Sequence, residues 1–263
     1  MKKIDKKRFS ENYLDSAIVQ KEIVSRLMER LSLISISPEK IVDIGSGIGL
    51  GTKKLKELYL DAEFYMFDKS FQSLNLEYAG NKSTFLVCGD FTKTSFKDNA
   101  FDFVYSSSAL HWDLDVKSSF EEMYRILKPG GLLLFSTYGP DTLIELRSAW
   151  AQVDDGKHVN EFYDMHDLGD LMLALNFIDT VVDSEKIIID YDNVKQLQVD
   201  LKNIGSHVTQ DNKKVNGLLS KNKMKLMYME YEKFKNQSGG FPATYEVIYG
   251  SAWKKFNVVS LNN

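Results

Sequence analysis

Gly45, Gly47 and Gly49 stand at every second position between two short apolar runs, with Asp43 ahead of them, Gly51 just beyond, and Asp68 nineteen residues after Gly49. Glycine lets a backbone take positive φ and lets a ligand approach with no Cβ in the way. Asp43 places a negative charge at the end of the first run. Asp68 closes the second, where a carboxylate can accept the hydroxyls of a ribose. The set reads as a nucleoside pocket; the alternative is an ordinary tight strand-to-helix turn. A dinucleotide fingerprint requires G-x-G-x-x-G, and Leu50 and Thr52 break that register in both frames. No G-x-x-x-x-G-K-[ST] phosphate loop is present.

Such a turn works only if strands and helices hold it. Strand-like runs occur at 40–44, 63–68, 83–88, 101–106 and 132–137, with helical patterns between them at 50–59 and 119–127. This alternation predicts βαβ units and a mostly parallel sheet. Lys128-Pro129-Gly130-Gly131 reads as a helix stop. After Thr180 the alternation breaks: a strand is expected at 181–191, helices at 193–205 and 215–236, and a last strand at 241–250. In that strand Tyr245, Val247 and Tyr249 share a face and Pro242 stands at the start. The absence of repeats and linkers predicts one domain over 1–263, with 191–240 as a helical insertion able to form a lid.

That insertion carries nine Lys and five acids, hence +4, while the whole chain is −4, which leaves −8 for the rest. A basic segment on an acidic body could steer an acidic partner; the alternative is lysines decorating exposed helix faces. The overall acidity argues against a general nucleic-acid binder. Cys88 is the only cysteine, which excludes an intramolecular disulfide and a multi-cysteine zinc site. No metal is expected. No apolar stretch reaches membrane-spanning length, and lysine-rich residues 1–8 lack a following apolar region. A cytoplasmic protein without membrane partners is expected.

The pattern Asp43-x-Gly45-x-Gly47-x-Gly49 resembles motif I of the class I methyltransferases, which bind S-adenosylmethionine. The resemblance implies an α/β, Rossmann-like fold: a seven-stranded, mostly parallel sheet with helices on both faces and a helical insertion before the last strand. An acid at position 43 suits a cationic amino-acid and sulfonium moiety better than a pyrophosphate. Gly45, Gly47 and Gly49 would line the methionine portion and Asp68 would take the ribose. After the third strand, Asp90 can accept from the adenine amine and Phe91 can wall the ring; for Asp90 the alternative is a turn-initiating aspartate. Ser107 and Trp112 belong to the post-strand segment 106–112 that closes over the sulfonium in this class. His111, in the same segment, is either a contributor or a solvated loop residue.

Later segments resemble one family. Tyr138-Gly139-Pro140-Asp141-Thr142 leads through Arg147 to Trp150, then to Val153-Asp154 and His158-Val159-Asn160. Asp200 to His207 and Pro242 to Gly250 follow. With Phe9, Tyr13 and Trp253, they resemble the malonyl-acyl-carrier-protein O-methyltransferases, which open the pimelate branch of biotin synthesis. The resemblance spans nearly the whole chain. It implies methylation of the free carboxylate of a malonyl thioester, on carrier protein or coenzyme A, with S-adenosylhomocysteine as by-product. Masking that charge lets elongation enzymes accept the unit as an apolar primer. Departures are His111, where many relatives carry glutamine, and Glu161, where they often carry arginine.

Thr142 reads as the N-cap of a helix, with Glu145 completing a capping box. Leu143, Leu146, Arg147 and Trp150 then share one face. An arginine in an apolar stripe needs an anionic partner. That partner is the malonyl carboxylate, met by the guanidinium fork, or a structural Asp or Glu; the resemblance favours the first. Tyr13, seven residues before Gln20, and His207, beyond Gly205, are further acceptor-site candidates. The alternative for each is a packed or solvent-facing residue.

A carboxylate nucleophile with a pKa near ~4 is ionised at neutral pH, so no general base is required. Rival readings remain open: a methyltransferase for another small carboxylic acid or a quinone precursor, and a non-catalytic donor-binding scaffold protein. The glycine spacing disfavours a nicotinamide oxidoreductase.

Overall fold

The computed structural model describes residues 13–71, 73–74, 82–113, 115–204 and 221–256. Its short apolar runs form β1 (Lys40–Ile44), β2 (Glu63–Asp68), β3 (Thr84–Cys88) and β4 (Phe101–Ser107). The inner ones, β1 and β4 above all, are nearly continuous in apolar character because a parallel strand inside the sheet is covered on both faces, while β3 lies at the edge with Phe85 exposed. Ile41, Val42, Phe64, Met66, Phe103 and Val104 are all at most 2% exposed. The longer strands are β5 (Leu127–Tyr138), β6 (Phe177–Tyr191) and β7 (Phe241–Lys254). One seven-stranded sheet results, in the order β3-β2-β1-β4-β5-β7-β6. The four pairings from β3 to β5 are parallel. Asp43 of β1 pairs in register with Met66 of β2 and Tyr105 of β4, so these strands deliver their carboxyl ends to one edge.

The helices are α1 (Tyr13–Ser16), α2 (Ile18–Leu31), α3 (Leu50–Leu58), α4 (Val116–Ile126), α5 (Ile144–Ala151), α6 (Met165–Ala174), α7 (Val194–Asn203) and α8 (Lys221–Tyr231). Asp115 caps α4 by accepting from Ser118 N at 3.3 Å, three residues earlier than the apolar pattern alone suggests. That helix ends at Ile126, and Leu127 is already extended. The helix thus stops ahead of Lys128-Pro129-Gly130-Gly131 as expected, but that segment already belongs to β5, as a bulge. Its partners jump from Phe101↔Leu127 to Phe103↔Leu132, and Gly130 takes φ 75, which glycine adopts without strain. In β7 both faces are buried, rather than the single face of Tyr245, Val247 and Tyr249.

The chain divides into two compact units. One comprises Gln20–Thr137, Asp164–Ser184 and Ile248–Asn263. Its core joins Val42, Phe67, Phe101, Val104, Phe120 and Phe135 to residues of α6 and β7. The other comprises Met1–Val19, Tyr138–Tyr163 and Glu185–Val247. Within it α5 packs on α8 and α1 on α7. Ser16 Oγ donates to Asp200 Oδ1 at 2.9 Å and accepts from Asn203 Nδ2 at 2.9 Å. Asn193 caps α7, its side chain accepting from Gln196 N at 3.0 Å. The buried Tyr231 hydroxyl donates to Pro242 O at 2.8 Å.

Candidate active site

The glycine bend follows from backbone accounting at the end of β1. Gly45 N and Ser46 N both donate to Phe67 O, at 2.7 and 3.1 Å, and Gly49 N donates to Ser46 O at 2.8 Å. Gly45, Gly47 and Gly49 have φ of 73, 53 and 84. Two of them differ in what surrounds them. A Cβ on Gly45 would lie 2.2 Å from Ala109 Cβ, so this position is a close crossing of two loops. A Cβ on Gly47 would meet nothing within 4 Å. The open side of the bend is at Gly47.

Asp43 is 3% exposed. Its Oδ2 accepts from Thr52 N at 3.1 Å and Thr52 Oγ1 at 2.6 Å. The carboxylate thus ties α3 to the end of β1. Burial pushes its pKa up to about 7 and the Asp68 charge adds to this, while the Thr52 bonds oppose it. Sequence reasoning missed Thr52, using it only as the residue that breaks a glycine register. A threonine two residues into a helix, facing a strand-end aspartate, is the signal that could have found it.

Asp68 Oδ2 accepts from Gly47 N at 3.0 Å and Oδ1 from Ser70 N at 2.8 Å. A ribose would share this carboxylate with both amides. Asp90 is exposed; its Oδ1 accepts from Thr92 N and Oγ1, at 3.1 and 2.8 Å, and its Oδ2 from Lys69 Nζ at 2.6 Å. This is the turn-initiating geometry, and the Lys69 bond holds the carboxyl below its usual range. Phe91 is half-buried against the main core. Ser107 Oγ lies 3.5 Å from Ser136 Oγ. Trp112 and the buried His111 form part of a 3-10 turn, their ring centroids 5.0 Å apart.

Two hydroxyls that the sequence did not single out flank the Gly45–Ala109 crossing. Ser46 Oγ and Ser108 Oγ are buried and find no hydrogen-bond partner among the described residues. A buried hydroxyl left unsatisfied costs about 1–3 kcal/mol. A polar ligand at the open side of Gly47 would remove that cost.

The acceptor candidates belong to the other unit. Arg147 Nη1 donates to Pro140 O at 2.8 Å and Nη2 to Thr142 O at 3.1 Å. Two neutral carbonyls fix the fork in place, and among the described residues no carboxylate pairs with it. The expected capping box is not formed. Leu143 precedes the helix in the left-handed region at φ 54. Thr142 Oγ1 instead donates to Glu246 O at 3.0 Å. Glu145 accepts from Thr244 N at 3.0 Å and Thr244 Oγ1 at 2.5 Å. Strand β7 offers both groups better partners than the helix terminus does. Tyr13 is half-buried in α1. His207 lies outside the described residues.

A family model described as "Methyltransferase domain" matches residues 42–135, the stretch carrying the glycine bend. The chain is 41% identical over 245 residues to "Malonyl-[acyl-carrier protein] O-methyltransferase 1" of Coxiella burnetii, covering 93% of this chain and 84% of that protein. It is 40% identical to "Malonyl-[acyl-carrier protein] O-methyltransferase" of Legionella pneumophila, covering 94% of this chain and 88% of that one. The chain belongs to the malonyl-[acyl-carrier protein] O-methyltransferase family.

Solved structures agree on the fold. Phosphoethanolamine N-methyltransferase 2 of Haemonchus contortus, in complex with S-adenosyl-L-methionine, superposes with a TM-score of 0.56 at 18% identity, over 93% of this chain and 58% of that one. The Bacillus subtilis YcgJ protein does so with 0.63 at 16% identity, over 89% and 99%. This methyltransferase depends on S-adenosylmethionine. The residues fit that group: an open glycine face, two buried hydroxyls without a partner among the described residues, and two carboxylates at strand ends. Among the described residues no cluster of metal-ligating side chains occurs, and no described helix is long and apolar enough to cross a membrane.

Proposed function

We propose that this enzyme methylates the free carboxylate of a malonyl thioester borne on acyl carrier protein, giving the methyl ester that primes pimeloyl synthesis. The observation that carries the acceptor reading is Arg147: a guanidinium fixed by two carbonyls and paired with no carboxylate among the described residues. It is a pre-positioned cation suited to an anionic acceptor. The proposal takes residues 1–263 as one cytoplasmic methyltransferase domain with 191–240 inserted before the last strand.

S-adenosylmethionine, when bound, supplies an electrophilic methyl on a sulfonium. Gly45, Gly47 and Gly49 give its methionine portion an unobstructed backbone, and Asp68 takes the ribose. Asp43, its pKa raised to about 7, is partly ionised at neutral pH and holds Thr52 beneath the bend. Ser46 and Ser108 offer hydroxyls, and Asp90, Phe91, Ser107 and Trp112 complete the donor set. Arg147 orients one carboxylate oxygen of the acceptor through the charge and geometry of its fork. With a pKa near ~4 the acceptor is already ionised at neutral pH. No residue has to remove a proton, and the work reduces to alignment. Tyr13 and His207 are proposed to contact the acceptor as well.

The test is methyl transfer to malonyl carrier protein, malonyl-CoA and free malonate in parallel. One added methyl on the carrier-bound malonyl group, well ahead of free malonate, is expected. Preference for a different small acid would support the rival substrate, and tight donor binding without any transfer would support a scaffold.

A further inference from the structure

The positive charge of residues 191–240 finds no role in methyl transfer itself, yet the structure organises it. Helix α7 presents Lys195, Val199 and Lys202 outward, at spacings of four and three, while Val194, Leu197 and Leu201 are buried. Helix α8 presents Lys221, Lys225, Leu226 and Met229 outward, while Met227 and Tyr231 are buried. The helices are joined by Tyr228 Oη donating to Gln198 Oε1 at 2.6 Å. The inner side of α8 is also anchored by Lys223 Nζ to Asp154 Oδ2 at 2.7 Å. These outward stripes therefore ride on seated helices.

Their composition separates them from a solvated face. Among the described residues none of Lys195, Lys202, Lys221 and Lys225 pairs with a carboxylate, whereas Lys223, Lys233 and Lys235 all do. Val199, Leu226 and Met229 are 48%, 50% and 58% exposed. Single exposed apolar residues are ordinary; three interleaved with four cations unpaired among the described residues, on two adjoining helices, have the composition of a contact surface, with methionine as its adaptable element. The surrounding chain is acidic, −8 outside residues 191–240. An acidic partner would therefore be drawn to this face over the net-acidic remainder.

We propose that the outward faces of α7 and α8 dock the acidic surface of the carrier protein that bears the malonyl thioester. This rests on the acceptor reading above and extends it from the malonyl group to its carrier. The lysines meet carboxylates at the rim of the contact, and Val199, Leu226 and Met229 meet its apolar centre. A lipid surface fits less well, since three separated side chains offer little to insert.

The test uses full-length enzyme with Lys221→Glu and Lys225→Glu combined, and separately Leu226→Ser. Steady-state kinetics are measured with malonyl carrier protein and with malonyl-pantetheine, which keeps the thioester but lacks the protein. Charge reversal should raise KM for the carrier substrate by about tenfold or more, with kcat and malonyl-pantetheine turnover held within twofold. The wild-type KM should rise with salt, and the reversed variant should lose that dependence. An unchanged carrier KM in both variants overturns the proposal. An equal loss on both substrates also overturns it, since that locates the lysines' effect in the reaction rather than in docking. Sedimentation with anionic vesicles, without carrier binding, would assign the face to lipid and overturn it too. Wild-type enzyme inactive on both malonyl substrates would instead overturn the acceptor reading.

Discussion

At the scale of single residues, Arg147 and Asp43 carry opposite lessons. Arg147 was recognisable as a cation in an apolar stripe, and the structure adds that Pro140 and Thr142 carbonyls hold it. Arg147→Ala should lower kcat/KM for the malonyl acceptor by roughly 10²–10³-fold, with S-adenosylhomocysteine affinity by calorimetry unchanged within twofold. Arg147→Lys should rescue poorly, because one ammonium cannot serve two carbonyls and a carboxylate together. Asp43 was legible as a carboxylate at the loop, but not its bond to Thr52, which depends on where α3 begins. Its pKa, raised from 3.8 to about 7 by burial, fixes a sign. Between these values the folded state holds the extra proton, so the stability this carboxyl contributes is greatest below pH 3.8 and is lost as pH rises through 7. Relative to Asp43→Asn, the wild type should lose up to ~4 kcal/mol between pH 4 and pH 8, read from urea unfolding at each pH. A parallel pair of curves would contradict the shift.

Elements were read more securely than their ends. The strands of the parallel half were recoverable because burial on both faces makes them short apolar runs bounded by turn residues. The stop at Lys128 to Gly131 was legible, since α4 ends at Ile126, but not that the segment is itself a bulged stretch of β5, which only pairing with β4 shows. The capping box failed for a related reason: Thr142 and Glu145 have the right spacing, but β7 supplies their partners from a hundred residues away. The glycine bend gives a contrast testable at this scale. Gly45→Ala should destabilise the fold by about 2–5 kcal/mol, combining a clash with Ala109 and positive φ. Gly47→Ala, in open space at φ 53, should cost only about 1–2 kcal/mol yet lower donor affinity disproportionately, since its Cβ would occupy the ligand's side. Equal loss of donor binding per unit of lost stability would remove Gly47 from the site.

For the whole molecule, the alternation of strands and helices was enough to reach an α/β sheet, and the glycine spacing was enough to disfavour a dinucleotide. The hydroxyls of Ser46 and Ser108 were illegible because their lack of partners is a property of packing. Residues 205–220, with His207, lie outside the described residues. Ligand linkage reports on the assembled donor site: S-adenosylhomocysteine at a hundred times its Kd should stabilise the protein by about 2.7 kcal/mol, and NAD should not. The most direct test of the central claim is intact mass spectrometry of malonyl carrier protein after incubation with S-adenosylmethionine and either wild-type enzyme or Arg147→Ala. The account predicts one added methyl, located on the malonyl group, with wild type and almost none with the variant. Equal methylation by both enzymes, or none by the wild type, would contradict it.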